Sequence, residues 1–542
     1  MDYPRNFKEC INDDGTINLD LLHLYSQYLD DADNELLFGE QEDPLDELFK
    51  KSNKGKKKRK QLFVPRKPSQ VRHIDAATGK VKYVSPDPKS SPWYMTYVLS
   101  PESMSEREFK KFRLRFRLPY CQYQQLLQRI SNPQDPWSTH FQRWQNRNAA
   151  GREPSPLSLL LLGTLRYIGR GFTFDDLEES TSISADVHRV FFHCFISFGS
   201  TMLYDEYVLA PTTEEEARSH MKEMEEAGFH GCVGSMDATN VKIEMCRMWL
   251  HHMHIGFKSS FTARTYNITV NHRRRILSST SGHPARWNDK TIVRYDNFAS
   301  GIKGGTILND SVFHLFEKDT EGNIITVKYV GNWILVDNGY LCWSTTIPPM
   351  KDPSTYAELR WSQWAESMRK DVECTFGILK GRWRILKAGI RLHGTEAADK
   401  IWLTCCALHN LLLDHDGLDE NWHQGVSSDW EREEGTLDPH DTEQHVPFAI
   451  RRLLCPENNN NFDISEMGRG NDYDEDGNVL DEDNEMDHNH VQIQDGCRVV
   501  RHLSRAYFRK KLIDHFDILY QSKSINWPSR RRVKTQFLDI SK

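Results

Sequence analysis

The chain has 542 residues, 38% of them hydrophobic and 11% aromatic, enough for a sizeable core spread over two or three domains. Its formal charge of -7 is uneven: positions 50–60 hold eight basic residues in eleven, and positions 472–487 hold nine acidic ones with no basic one, so the chain without that block stands at +2. Eleven cysteines without a CxxC pair, an N-terminus without a secretory pattern and a longest apolar run of nine residues at Leu157 argue against a disulfide scaffold, secretion and a membrane helix, and for a reducing intracellular compartment.

Residues 1–92 are polar, with Asp early, Lys later and Pro65, Pro68, Pro86 and Pro88 near the end, the composition of a disordered arm. Its lysine cluster reads either as a solvated tail or as a nuclear import signal or phosphate-binding arm. From 93 to 227 the apolar spacing is helical: Tyr120, Tyr123, Leu126, Leu127 and Ile130 share one face. The run from Gly169 to Phe195 predicts a short helix over 175–180, a break, and a longer helix from about Ser184. That is the layout of a helix-turn-helix, or equally of a plain helical hairpin.

From residue 228 the period changes to two. A short strand is expected to end at Asp237, and two more, in "SFTARTYNITVNH" and "RILSSTSG", to be joined by the turn at Arg273, Arg274 and Arg275. Asn288 is placed to cap a helix. After the acidic turn "EKDTEGN" comes a further strand or hairpin running into "ILVDNGY", and then one long amphipathic helix, "ELRWSQWAESMRKDVECTFGILKGRWRILK". This order predicts an α/β domain with a mixed sheet of the ribonuclease H type over 228–415. An acidic low-complexity linker follows over 416–490, then a C-terminal helix and basic tail over 491–542.

Asp237 and Asp337 each end an apolar strand, where a sheet carries its functional groups. If those strands are neighbours the two carboxylates converge, and they repel unless a cation stands between them, for which Mg²⁺ or Mn²⁺ suits oxygen ligands. Glu373 is the third candidate, beside a helical seam of Val372, Phe376 and Leu379; its plain alternative is an exposed ion pair with Arg369 four residues earlier. The "HHMH" at 251–254 lacks the partners of a zinc site. "DYDEDGNVLDED" at 472–483 matches part of an EF-hand loop but ends on Asp, and reads as linker.

The motifs "GSMDATN", "LVDNGY", "VECTFGILKGRWRIL" and "CCALHN", in this order, resemble the PIF/Harbinger family of DDE transposases and its nuclease-like derivatives over about residues 105–415. The resemblance implies Asp237, Asp337 and Glu373 as catalytic metal ligands, Asp289 of "WNDKTI" as an auxiliary acid, and divalent metal as cofactor. It implies phosphodiester cleavage by a two-metal mechanism with no separate protein base, in the nucleus, with a Myb-like DNA-binding partner protein. The DNA would be held by Arg273, Arg274, Arg275, Lys380, Arg382, Arg384 and Lys387, and homo-oligomerisation is expected, without membrane contact. Cys374 after the glutamate and Ala238 after the first aspartate depart from the family pattern. The other reading is a domesticated, non-cleaving DNA- or chromatin-binding adaptor.

Overall fold

A computed structural model describes residues 71–74, 81–84, 86–146, 153–256, 261–418, 493–494 and 497–526. The lysine cluster at 50–60, the acidic loop at 472–483 and the basic tail at 528–534 lie outside these residues. Within the polar N-terminal stretch, Val71–Ile74 pairs antiparallel with Val81–Val84.

Between residues 92 and 226 the described elements are helical. They include α1 (Glu106–Phe116), α2 (Tyr120–Ser131), α3 (Leu157–Arg170), α4 (Phe174–Thr181), α5 (Ala185–Phe198) and α6 (Glu214–Glu226). Helix α2 buries Tyr123, Leu126 and Ile130, part of the face its spacing predicts. Helix α4 starts at a capping box in which the Thr173 hydroxyl accepts from the Asp176 amide and Asp176 accepts from the Thr173 amide; three residues separate its end from α5.

The main sheet contains β1 (Cys232–Lys242), β2 (Ala263–Val270) and β3 (Ile276–Ser279). The chain then leaves it for α7 (Asp289–Ile292), α8 (Asn297–Gly304) and the hairpin β4 (Val312–Lys318) with β5 (Ile324–Val330). It returns as β6 (Trp333–Leu335) and β7 (Thr346–Ile347). The spatial order is β7-β6-β1-β2-β3, with β1/β2 and β2/β3 antiparallel and β1/β6 and β6/β7 parallel. Beyond it lie α9 (Tyr356–Arg382), α10 (Arg384–Ala388) and α11 (Thr395–His415). At the far end β8 (Cys497–Val499) joins β5 in parallel, and α12 (Arg505–Gln521) packs on the hairpin sheet.

Two predicted boundaries differ. Strand β1 does not end at Asp237 but runs five residues further, because β2 pairs with it continuously from Ser235↔Val270 to Lys242↔Ala263. The long helix is not continuous: at Trp383 (φ -103°, ψ 86°) it breaks into α9 and α10, and the turn buries the Trp383 indole completely.

The sheet is covered on both faces. Trp333 and Leu335 pack with Trp361, Trp364 and Met368 of α9 and with Phe508 and Phe516 of α12. Ile334, Val336 and Met236 point the other way, onto Ala217 and Met221 of α6 and Phe298 of α8. The N-terminal helices share a third core with Tyr266 and Ile268 of β2 and with α11. Close strand packing requires Gly234, where a Cβ would lie 2.2 Å from the Val270 carbonyl oxygen.

Candidate acidic site at the junction of β1, β6 and α9

Period two along β1 sends Met236 to the α6/α8 face and therefore Asp237 to the face covered by α9. The parallel register Ser235↔Leu335, continued two residues, brings Asp337 beside Asp237 just past the end of β6. The loop after Asp337 is pinned. The Gly339 amide donates to Asp337 Oδ1 at 2.7 Å, and the Tyr340 hydroxyl donates to Asn267 Oδ1 at 2.7 Å. Asn267 Nδ2 in turn donates to Asp296 Oδ2 at 2.7 Å, and Asp296 caps α8.

Asp289, first residue of α7, approaches from a third direction. Asn288 caps that helix, accepting from the Thr291 amide at 2.9 Å, as its residue type predicts. A Cβ on Gly339 would stand 2.9 Å from Asp289 Oδ2 and 3.0 Å from Asp337 Oδ1, so the two carboxylates flank one point, and a larger residue there would push them aside.

Glu373 lies on the exposed side of α9, while Val372, Phe376 and Leu379 are buried. The pair with Arg369 is present, Nη2 to Glu373 Oε1 at 3.0 Å, and the same guanidinium reaches much further. Its Nη1 donates to Asp237 Oδ2 at 3.1 Å, and its Nη2 lies 2.9 Å from Glu366 Oε1. Arg369 thus joins Asp237 to Glu373. Burial opposes its charge, but the Glu366 hydrogen bond and the charges of Glu366, Asp237 and Glu373 hold its pKa above the ordinary value.

Asp237 is pushed up to about 6. Burial is the main cause, and the charges of Asp337 and Asp289 add to it; the Ala238 amide and Arg369 act against it. The same acids, behind burial, raise the Tyr340 phenol well above its usual range. A half-buried carboxylate array of this kind suits a hard divalent cation, since every donor is an oxygen. Among the described residues, however, no three acidic, His or Cys side chains are already gathered at ligating distance. Asp237, Asp337 and Asp289 face one another, and Glu373 is held by Arg369.

The basic residues expected around DNA fall in different places. Arg273 Nε donates to Glu223 Oε1 at 2.9 Å, Arg274 and Arg382 are buried, and Arg275 pairs with Asp414. Lys380 Nζ donates to Thr239 Oγ1 at 2.7 Å and to the Asn240 carbonyl at 2.9 Å, and burial brings its ammonium down to about 8. Arg384 and Lys387 are exposed. "CCALHN" serves packing: Asn410 accepts from the Ile276 amide and donates to the Tyr207 and Ile276 carbonyls, tying α11 to β3. His254 of "HHMH" is buried with Nδ1 3.0 Å from the Ala263 carbonyl oxygen. Sequence reasoning missed the reach of Arg369 across to β1 and the Asn267–Asp296 support; the i, i+4 spacing of Arg369 and Glu373 was the one available signal.

Residues 236–410 match the DDE superfamily endonuclease family. The chain is 22% identical over 278 residues to the Arabidopsis thaliana protein ALP1-like, covering 49% of this chain and 64% of that one. It is 23% identical over 200 residues to the Arabidopsis thaliana protein named antagonist of like heterochromatin protein 1, covering 37% and 48%. It is 30% identical over 195 residues to HARBI1 of Rattus norvegicus, a protein named as a candidate nuclease, covering 36% and 49%. The matched segments span less than two thirds of each of these relatives. No solved structure matches significantly, and no described helix is long and apolar enough to cross a membrane.

Proposed function

We propose that this chain, which residues 236–410 place among the Harbinger-type DDE transposase-like proteins, is a transposase-derived, metal-dependent DNA endonuclease. The observation that carries the reading is the parallel register of β1 and β6, which sets Asp337 beside Asp237, with Arg369 linking Asp237 to Glu373 on α9. Two antiparallel strands followed by two parallel ones about a central β1 support a ribonuclease H-like sheet, and the α4–α5 pair supports a helix-turn-helix-like region before it.

In this reading Asp237, Asp337 and Glu373 hold Mg²⁺ or Mn²⁺, with Asp289 as an auxiliary acid. When bound, divalent ions would activate the attacking oxygen and stabilise the leaving oxygen of a phosphodiester, so no protein base is needed. The chain's own residues then set geometry. The Asn267–Tyr340 bond fixes the Asp337 loop, Gly339 leaves room between Asp337 and Asp289, and Arg369 bridges Asp237 and Glu373, the acids that would hold the cation. Arg384 and Lys387 offer exposed charge for phosphates, which position DNA without reading its sequence. A nuclear location, a Myb-like partner and a homo-oligomer belong to the same proposal.

The test is incubation of supercoiled plasmid with Mn²⁺ and wild type, Asp337→Asn or Glu373→Gln protein. Nicking by wild type alone supports the proposal. Intact plasmid in all three lanes, with DNA still bound and a Myb-like partner making no difference, favours the second reading, a non-cleaving chromatin adaptor. That reading draws on the closed Arg369 ion-pair net and on the name of the heterochromatin-related relative.

A further inference from the structure

A cavity of about 360 Å³ opens between the N-terminal helices and the segment after α10, away from the carboxylates. Tyr167, Phe172 and Phe174 line one wall, Ile385 and Leu392 another, and Arg189 and Arg391 are among the polar groups; no carboxylate lines it. Phe174 stacks on Tyr167 with centroids 4.5 Å apart and planes 11° apart, so the aromatic wall is already ordered. Arg189 pairs with Asp186 and Arg391 with Glu244, but these are surface contacts of the kind that contribute little and exchange readily. Burial holds the His193 imidazole below its usual value, leaving the two guanidiniums as the dependable charge.

A second observation concerns the guanidinium beside Phe172. The Arg166 guanidinium lies 4.2 Å from the centre of the Phe172 ring. Arg170, Arg115 and Arg117 crowd the same group: burial, then these like charges, draw its pKa down to about 10. Clustered guanidiniums beside an aromatic wall, with no acid lining the cavity, form a receptor for a planar group that carries negative charge.

We propose that this cavity holds an unpaired nucleotide of the DNA strand, its base against Phe172 and Phe174 and its phosphates on Arg189, Arg391 and the Arg166 cluster. A base needs a free face to enter such a wall, so the occupant is single-stranded rather than duplex. The cavity is tied to the acidic site through the backbone: the Ile390 amide donates to the Lys242 carbonyl at 2.9 Å, and the Glu244 amide donates to the Ile390 carbonyl at 2.8 Å. Lys242 ends the strand that carries Asp237, five residues on, or about 17 Å at ~3.3 Å per residue. The inference rests on the DNA reading above for the identity of the strand, but not on cleavage.

The experiment is fluorescence anisotropy with a short labelled oligodeoxynucleotide, single-stranded or as its duplex, in EDTA. The proteins are Asp337→Asn as background and the same protein carrying Phe174→Leu or Arg391→Gln. Tighter binding of the single strand than of the duplex is expected, weakened about tenfold by loss of the stacking ring. Arg391 is exposed, so Arg391→Gln tests the site without touching the core; it should weaken the single strand and reduce the salt slope by about one. Equal affinity for strand and duplex, or single-strand binding unchanged in both variants, overturns the proposal. Complete displacement by micromolar dTMP overturns the assignment to a strand, since a free nucleotide would then suffice. Because EDTA and Asp337→Asn remove any cleavage, a plasmid that is never nicked leaves this result standing, and the reverse also holds.

Discussion

Replacing Asp237 by Asn should make the metal-free protein more stable, in a way that depends on pH. The folded chain raises this carboxyl from 3.8 to about 6, so the folded state binds its proton more tightly than the unfolded state. Ionised Asp237 therefore opposes folding above about pH 6. The penalty disappears below about pH 4, where the group is protonated in both states, and stability from this group falls as pH rises between the two. A difference of about two units corresponds to roughly 3 kcal/mol, and the side chain is only 19% exposed, so solvent screening removes little of it. Asn keeps an oxygen for the Arg369 N–H, while Arg369 retains Glu366 and Glu373. Urea denaturation in EDTA should show Asp237→Asn ahead by up to about 3 kcal/mol near pH 7, with the two proteins converging near pH 4. A variant no more stable than wild type near pH 7, or one whose advantage persists near pH 4, would refute the reasoning.

Arg369→Ala removes a guanidinium that lowers Asp237, so the Asp237 carboxyl should titrate above about 6 by carbon-detected NMR; an unchanged midpoint would show that Arg369 does not act on it. Asp399 on α11 accepts from Arg264 Nε at 3.1 Å and from the Tyr266 hydroxyl at 2.8 Å, and Arg264 is buried. Asp399→Ala should cost about 3–5 kcal/mol by breaking that buried pair, and a loss below about 1 kcal/mol in denaturant melts would contradict the burial argument.

What could be read from the chain was what short-range chemistry controls. Asn288 can accept from an amide three residues on, and Tyr123, Leu126 and Ile130 recur at helical spacing. The alternation in 263–270 and the apolar approach to Asp337 are likewise local. Each depends on residues a few positions apart, and so survives without knowledge of the fold.

Other features depended on partners far along the chain. The sequence by itself determined that Asp237 and Asp337 stand on strand-forming segments, that Asn288 starts a helix beside Asp289, and that Glu373 and Arg369 share a helix face. Only the tertiary structure decided that β1 continues to Lys242, because β2 supplies a pairing partner over that length, and that Asp337 lies beside Asp237, because β6 pairs in parallel across about a hundred residues of chain. It also decided which cations are available: Arg274 and Arg382 read as basic residues in the sequence but are buried, whereas Arg369 emerges as the charge joining two acids. Strand register and desolvation are properties of what each residue meets in space, and a residue's type and local spacing do not carry them.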